Sequence, residues 1–260
     1  MISWLESLST AEAGIVVVGG FVLFSLLFGY LTLRFTSEEI RAQHNDRAGF
    51  ILAVIGVIYA VLLAFVAIGV WERFQQAEDR SFEEAGAIAT IYRDAGSFPE
   101  RSELRAATRA YVLSVIDDEW PRMRHGRPSN LANKRLENLD ARIRALPADT
   151  LRLGNIQMQM LSAVDTALMD RRERLIADAH GINGIMWLVL VVGAVVTVAF
   201  TYLFGFERTI MQSLMVGGLS LLIGLVLFLI VALDYPYRGS ISVEPEAFRA
   251  LLVSFASIGP

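Results

Sequence analysis

Long apolar blocks separated by polar segments dominate the pattern along this chain. The blocks occupy residues 13–33, 48–70, 185–206 and 213–233, and none of them contains an Asp, Glu, Lys, Arg or His. At 1.5 Å per residue, the block 48–70 forms a helix about 34 Å long, which is enough to cross the hydrocarbon core of a bilayer. The pattern therefore predicts four membrane-spanning helices.

The second block has two distinct helical faces. Turned 100° per residue, its small residues fall in one stripe, which we expect to pack closely against another helix. That stripe comprises Gly49, Ala53, Gly56, Ala60, Ala64 and Ala67. The bulky residues lie on another side of the helix, and they are Phe50, Val54, Val57, Val61, Phe65 and Ile68. This bulky face contacts either lipid or an axis shared with other subunits, so the helix is either an anchor or a pore helix.

A long polar insert separates the second and third spans. The helical period continues beyond Val70, and further apolar repeats predict three more helices without any strand signal. We divide the chain into membrane helices 1 and 2 (residues 1–71), a cytosolic four-helix insert (72–183), membrane helices 3 and 4 (184–233), and a C-terminal strap with an amphipathic helix (234–260). The predicted fold class is an all-α membrane protein with four transmembrane helices. We expect the C-terminal segment to lie against the insert.

Arginines near the ends of the spans predict the orientation in the membrane. Four spans place both termini and the insert on one side. The arginines close to the membrane on that side are Arg73, Arg80, Arg171, Arg172, Arg174 and Arg238. Those on the opposite side are Arg34, Arg41, Arg47 and Arg208. Six against four favours a multi-pass protein of the cell inner membrane with its termini and insert in the cytoplasm.

Composition excludes several classes of protein. With 54% apolar residues and a mean hydropathy of +0.48, the chain is too apolar for an ordinary soluble domain. The absence of cysteine excludes disulfides, thiol catalysis and zinc sites built on cysteine. A net charge of −4 gives no reason to expect a nucleic-acid partner.

Motifs for catalysis are missing from the sequence. It contains no glycine-rich phosphate loop, no HExxH pair and no nucleophile elbow, and its three histidines, His44, His125 and His180, have no ligand spacing. We therefore expect no enzymatic activity, no metal and no cofactor. Ion-coupled transporters usually carry an ionisable group inside a span, so its absence from all four blocks counts against a coupled transporter.

One acidic cluster, Asp117 to Glu119, leaves two interpretations open. Three carboxylates could contribute to a Ca²⁺ site, although that ion needs six or more oxygens. The alternative is a solvated or salt-bridged helix end, compensated by Arg122 and Arg124 nearby. We favour the helix end.

Four stretches of the sequence carry a family resemblance. They are HNDRAGFILAVIGVIYAVLLAFVAIGVWE at residues 44–72, the pair Glu84 and Ala85, the triplet Glu119 to Pro121, and DYPYRGSISVEPEAF at residues 234–248. Together they resemble the bacterial bestrophin-like family, long carried as a domain of unknown function and distantly related to the bestrophin anion channels. The residues that we take as structural or family-motif positions are His44, Asn45, Asp46, Tyr59, Glu84, Asp234, Pro236 and Arg238.

The resemblance implies an oligomeric channel. Bestrophins are pentameric channels that are permeable to anions, including chloride. Their second spans line the pore. Their Ca²⁺ clasp is an acidic run after the fourth span, whereas here that region reads DYPYRG with one acid. Their neck is a ring of bulky apolar residues at helical spacing, and Val57, Val61 and Phe65 offer that spacing here.

Two functional hypotheses follow. The first is a homo-oligomeric ion channel, five-fold by resemblance, with the lipid bilayer, copies of itself and small inorganic anions as partners. The second is a non-conducting membrane scaffold or sensor that signals through its cytosolic helices, because the insert is larger than a minimal channel requires.

Overall fold

The computed structural model describes residues 10–35, 45–202, 209–239 and 241–258, and most of these residues are helical, with no strand among them. Four helices in this part of the chain are long and apolar enough to cross a membrane. They are Thr10–Thr32, Gly49–Ser97, Gly184–Thr201 and Ile210–Leu233. The predicted all-α membrane fold with four spans is thereby confirmed. The segments between spans 1 and 2 and between spans 3 and 4 lie largely outside the described residues.

The described chain divides into two compact units. The membrane unit contains the described residues of 1–72, 182–234 and 239–241. The helical unit contains those of 73–181, 235–238 and 242–260.

The described part of the membrane unit is built from six helical segments. They are α1 (Thr10–Gly14), a π-helical turn (Ile15–Gly19), α2 (Gly20–Phe35), the first part of α3 (Asn45–Asp94), α8 (Gly184–Thr201) and α9 (Thr209–Leu233). Glycines allow close approach at two of their contacts. A Cβ on Gly29 would lie 2.1 Å from the Tyr202 ring, and one on Gly224 would lie 3.3 Å from the Val18 Cα. The Ser220 hydroxyl of α9 also donates to the Ser25 hydroxyl at 2.7 Å, so α9 packs against the first span at this point.

The helical unit is built from the remainder of α3 and the helices that follow it. After a 3₁₀ turn (Ala95–Ser97) come α4 (Arg101–Ser114), a π-helical turn (Val115–Glu119), α5 (Trp120–Met123), α6 (Asn130–Arg144), α7 (Leu151–Ala179) and α10 (Glu246–Ile258). Ser129 and Thr150 cap α6 and α7, because their side chains accept from the backbone N–H of Ala132 and Leu153.

The C-terminal segment completes the core of the helical unit. The Tyr237 hydroxyl donates to the Ala77 carbonyl at 2.7 Å, and the Trp120 indole donates to the Val243 carbonyl at 3.0 Å. The rings of Trp120 and Phe248 meet edge to face with their centroids 5.6 Å apart. The tail therefore packs on the helices of the insert and belongs to the same core.

Candidate functional sites

The membrane part of α3 buries a different face from the one that its small residues mark. The buried stripe consists of Tyr59, Leu63, Val66 and Val70. Tyr59 packs where a Cβ on Gly193 would lie 2.5 Å from its ring, and its hydroxyl donates to the Leu190 carbonyl at 2.9 Å. The small residue at this contact thus belongs to α8, and α3 supplies the large one.

The Gly/Ala stripe of α3 stays open in the single chain. Ala53, Ala60 and Ala64 are exposed, and a Cβ on Gly56 would meet nothing within 4 Å. The expectation that this stripe packs against another helix is therefore wrong for contacts among the described residues of one subunit. The reason is the Tyr59–Gly193 contact, which sets a neighbouring face of α3 against α8.

The bulky column of α3 points away from its own subunit. Val57, Val61 and Phe65 are 64%, 49% and 71% exposed, and a 100° turn per residue places them roughly 180° from the buried stripe. The column carries no charge and no hydrogen-bonding group. Among the described residues of the single chain, α3 thus presents an exposed apolar column and a small-residue stripe that is exposed at Ala53, Ala60 and Ala64.

A cluster of four buried charges lies at the centre of the helical unit. We call Glu84, Glu119, Arg171 and Arg174 the charged cluster. Arg174 donates from Nε to Glu84 Oε2 at 2.8 Å and from Nη2 to Glu119 Oε1 at 2.6 Å. Arg171 donates from Nη2 to Glu119 Oε2 at 2.5 Å. Two guanidinium groups and two carboxylates therefore alternate along one line of ion pairs. The four charges of the cluster sum to zero.

Further donors and acceptors complete the cluster. The Tyr111 hydroxyl donates to Glu84 Oε1, and Arg171 also donates to Asn133 Oδ1 at 2.9 Å. The Arg174 guanidinium lies 4.7 Å from the centroid of the Trp120 ring, within the range of a cation–π interaction. The cluster joins α3, α4, α6, α7 and the π turn before α5. Removing one partner of a buried pair leaves an unpaired charge, which costs about 3–5 kcal/mol.

Burial and pairing act in opposite directions on the two carboxyl groups. Burial raises the pKa of Glu84 above its ordinary value, and the charge of Arg174 opposes that shift without cancelling it. Burial also raises the pKa of Glu119, but Arg174 and Arg171 together outweigh it, so that the pKa of Glu119 lies below its ordinary value. Glu119 receives two guanidinium groups and Glu84 only one, which accounts for the difference.

The contacts of Asp118 and Glu119 distinguish between the two interpretations of the acidic cluster at residues 117–119. Glu119 is fully buried in the charged cluster, and Asp118 accepts from Arg122 at 2.7 Å and from the Ser129 hydroxyl. The salt-bridged interpretation therefore describes Asp118 and Glu119, although Glu119 is not at a solvated helix end. Among the described residues, no group of three or more acidic or histidine side chains is placed to hold a metal ion.

The family-motif residues Asp234 and Arg238 each have partners within their own unit. Asp234 accepts from the Ile182 backbone N–H at 2.6 Å and from the Trp187 indole at 3.4 Å, in the membrane unit. Arg238 donates from Nε to Asp178 Oδ1 at 2.9 Å and lies over the Tyr235 ring, in the helical unit. Between them, the Pro236 carbonyl accepts from the Val243 N–H at 2.7 Å.

The structure describes only some of the other family-motif positions. His44 lies outside the described residues, Asn45 begins α3, and the side chains of Asn45 and Asp46 are not described. In the sequence, Glu84 is recognisable only as a motif residue, and Arg171 and Arg174 only as charges close to the membrane. One available signal was their spacing, because residues three apart on α7 share a helical face.

Comparison with known proteins identifies the family. The profile of the bestrophin-like domain matches residues 19–248. The chain belongs to the bestrophin-like family. No match was found among curated proteins.

Solved structures share the fold of this bestrophin-like chain. A bacterial bestrophin homolog from Klebsiella pneumoniae with a leucine-to-threonine mutation matches with a TM-score of 0.69 and 14% identity, covering 93% of this chain and 98% of that chain. The same homolog with a tyrosine-to-alanine mutation gives a TM-score of 0.66 and 15% identity over 93% and 98% of the two chains. A membrane protein with a proline-to-alanine mutation gives 0.63 and 14%, again over 93% and 98%.

Proposed function

We propose that this bestrophin-like chain forms a homo-oligomeric ion channel, anion-permeable, in which α3 of each subunit lines an apolar neck at Val57, Val61 and Phe65. Family membership supports the class of protein, and the outward faces of α3 support the arrangement. The oligomer is a five-fold ring by family resemblance, and it lies in the inner membrane with the termini and helical unit in the cytoplasm. Its partners are lipids, its own copies and small inorganic anions such as chloride, and it has no enzymatic activity.

The observation that carries this proposal is the division of α3 into three faces. One face is buried against its own subunit, the small-residue stripe is open to one side, and the apolar column lies opposite the buried face. In a closed ring, neighbouring subunits cover the small-residue stripe, since small residues let helices approach closely in lipid. The column then meets its own copies around the axis.

An apolar column at an axis can act as a gate. Bulky uncharged side chains expel water from a narrow pore, and the pore conducts when the helices rotate or spread. Because the column has no charge, anion selectivity must come from arginines and helix ends at the mouths rather than from the neck itself.

Chloride flux into liposomes tests the neck. We expect Val61→Ala and Phe65→Ala to raise flux above that of the wild-type protein, because both changes widen and wet the constriction. Phe50→Ala, on the same side but near the membrane edge, should change flux less. Native mass spectrometry of each variant must show the same single oligomer as the wild-type protein.

A scaffold or sensor is the second candidate, favoured by a helical unit that has a core of its own. Unchanged flux in both neck variants, in correctly assembled protein, would place the column against lipid and support this candidate. A stable monomer would remove the channel proposal, since one four-span chain provides no aqueous path.

A further inference from the structure

A groove lies between α3 and α7 in the helical unit, apart from the charged cluster. It has a volume of about 710 Å³, and its lining residues run from Arg80 to Thr90 on α3 and from Gln159 to Glu173 on α7. At 1.5 Å per residue, the α7 wall of the groove is about 21 Å long. The groove is therefore far larger than a metal ion and has the dimensions of an extended small molecule.

One end of the groove carries more negative than positive charge. The guanidinium of Arg80 lies 2.7 Å from the carboxylate of Glu83 and 2.6 Å from that of Glu173. It also lies 3.3 Å from the carboxylate of Asp170. Three carboxylates and one guanidinium leave two negative charges without a cation of their own. The side chains of Glu83 and Glu173 are 55% and 48% exposed, so a ligand in the groove can reach both.

Asp170 is the carboxyl group of this set whose hydrogen bonding is incomplete. It is 4% exposed, and its Oδ2 atom has no hydrogen-bond partner among the described residues. Its Oδ1 atom accepts from Arg80 at 3.3 Å, longer than the roughly 2.7–2.9 Å usual for charged pairs. Burial raises the pKa of Asp170, neighbouring carboxylates add to the shift, and Arg80 opposes it without cancelling it. A further cation in the groove would stabilise the ionised carboxylate.

The rest of the groove offers hydrogen-bond acceptors and carbon surface. The hydroxyls of Thr90 and Thr166 each donate to the carbonyl four residues earlier, at 3.2 and 3.0 Å. Because a hydroxyl has one proton, both oxygens can then only accept from a ligand. Ala163 and Met169 line the same groove with apolar groups. The lining therefore suits a ligand that carries N–H donors at intervals along an aliphatic chain.

We propose that this groove binds a linear aliphatic polyamine, with one ammonium group at the three carboxylates and a further one at the two threonine hydroxyls. Each ammonium donates up to three hydrogen bonds and accepts none, which matches a lining rich in acceptors. The methylene segments lie against Ala163 and Met169. The site lies within the helical unit, and it requires neither conduction nor an oligomer.

Calorimetric titration of the purified full chain with spermidine, in an uncharged detergent, tests the site. We expect saturable binding of one molecule per chain, weakened by added salt because the attraction is between charges. Glu173→Gln should weaken binding about tenfold, since it removes a charged hydrogen-bond acceptor from the site. Butylamine, which has a single ammonium group, should bind much more weakly than spermidine.

Two further variants separate a polyamine site from general charge attraction and from structural damage. Arg80→Gln removes the cation that competes for the same carboxylates, so it should tighten spermidine binding severalfold. Damage to the fold would not produce tighter binding. Glu78→Gln is the matched control, because it removes an exposed carboxylate of α3 that does not line the groove. This control should leave the affinity unchanged.

Each outcome decides the proposal. Absent spermidine binding overturns it, and so does equal weakening by Glu78→Gln and Glu173→Gln. If Glu173→Gln does not fold, Glu83→Gln replaces it, and wild-type affinity in that variant rejects the site. Calcium binding that Glu173→Gln abolishes, with no response to spermidine, would assign the groove to a metal ion and overturn the proposal.

Chloride flux is measured separately, so this proposal and the proposed function can fail independently. Flux that responds to the neck variants, in a protein that does not bind spermidine, would reject the polyamine site and support the channel. Spermidine binding without flux in any variant, Phe65→Ala included, would support the site and reject the channel.

Discussion

The buried charges of the charged cluster lie beside charges of opposite sign. The number of such partners determines the direction in which the pKa of each carboxyl group shifts. Arg174 stays charged, because burial lowers its pKa but Glu84 and Glu119 raise it more, leaving it well above the ordinary value. Glu119 has two cationic partners and Glu84 has one. Their pKa values consequently move in opposite directions from the ordinary value.

These shifts predict how stability depends on pH. The lowered pKa of Glu119 gives stabilisation that is present above the carboxyl's unfolded pKa and is lost as pH falls through the folded one. The raised pKa of Glu84 acts the other way, with stabilisation present below its unfolded pKa and lost as pH rises through its folded pKa. Glu119→Gln should therefore weaken the loss of stability in acid, measured as thermal unfolding midpoints between about pH 3 and pH 6.

The same variant should be less stable than wild type at neutral pH by about 3–5 kcal/mol, because Arg171 loses a buried partner. The matched control is Glu103→Gln, which removes an exposed pair with Arg142. Surface pairs contribute at most about 1 kcal/mol, so this control should keep both the midpoint and its pH dependence. Identical acid profiles for wild type and Glu119→Gln would contradict the assignment.

Asp234 provides a second prediction at this scale. It is 5% exposed and accepts from the Ile182 N–H, so Asp234→Ala leaves a backbone donor at the start of the third span without that partner. We expect a loss of about 1–3 kcal/mol, measured as a lower unfolding midpoint of the oligomer in detergent. Glu246→Ala, at the exposed start of α10, is the control, and equal effects of the two changes would show that Asp234 contributes nothing specific.

At the scale of helices, α3 is the element that serves both units. Its residues up to Glu72 belong to the membrane unit, and those from Arg73 belong to the helical unit. One buried face recurs along it with the helical period, from Tyr59 through Val70 to Ile88 and Ala95. Tyr59 lies on this face near one end, and Glu84 lies on it further along. The chemical character of the buried side chains therefore changes along α3, whereas their helical spacing stays the same.

The contact between α3 and α8 depends on the missing side chain of Gly193. Gly193→Ala would place a Cβ 2.5 Å from the Tyr59 ring, and we expect the two spans to be forced apart at a cost of about 1–3 kcal/mol. Thermal unfolding in detergent measures this cost. Gly69→Ala is the matched control, because a Cβ there meets nothing within 4 Å of the chain. A midpoint unchanged by Gly193→Ala would show that the ring has room to move.

At the scale of the whole molecule, burial changes the argument for orientation. Arg171 and Arg174 are buried in ion pairs of the helical unit, so they do not act as free charges beside the membrane. Without them the arginine count is four on each side, and the positive-inside rule no longer distinguishes the two orientations. The proposal that the insert is cytoplasmic then depends on family resemblance alone.

Cysteine labelling in intact cells measures the orientation. Single cysteines at Ser37, between the first two spans, at Ala148, in the exposed loop before α7, and at Ser254, exposed on α10, report the two sides. With an impermeant thiol reagent, only Ser37→Cys should react. Labelling of Ala148→Cys and Ser254→Cys, with Ser37→Cys protected, would invert the orientation. Ser129 is unsuitable, because it is buried and caps α6.

Sequence alone determined the features that a bilayer imposes on every residue of a segment. The four spans follow from length and apolarity, because lipid offers no partner for charge. The helical period shows that Val57, Val61 and Phe65 share one face of the helix, and the family follows from contiguous runs such as residues 234–248. Each of these features depends on residues that are close together in the sequence.

Tertiary structure alone decided which residues meet. Arg174 contacts a carboxylate 90 positions away and another 55 positions away, and its spacing from Arg171 shows only that the two arginines share a helical face. The Gly/Ala stripe of α3 suggested close packing, yet the contact inside the subunit pairs Tyr59 with Gly193 of another span. A period fixes which side chains share a face, but the free energy of packing decides which face is buried, and that free energy depends on partners distant in sequence.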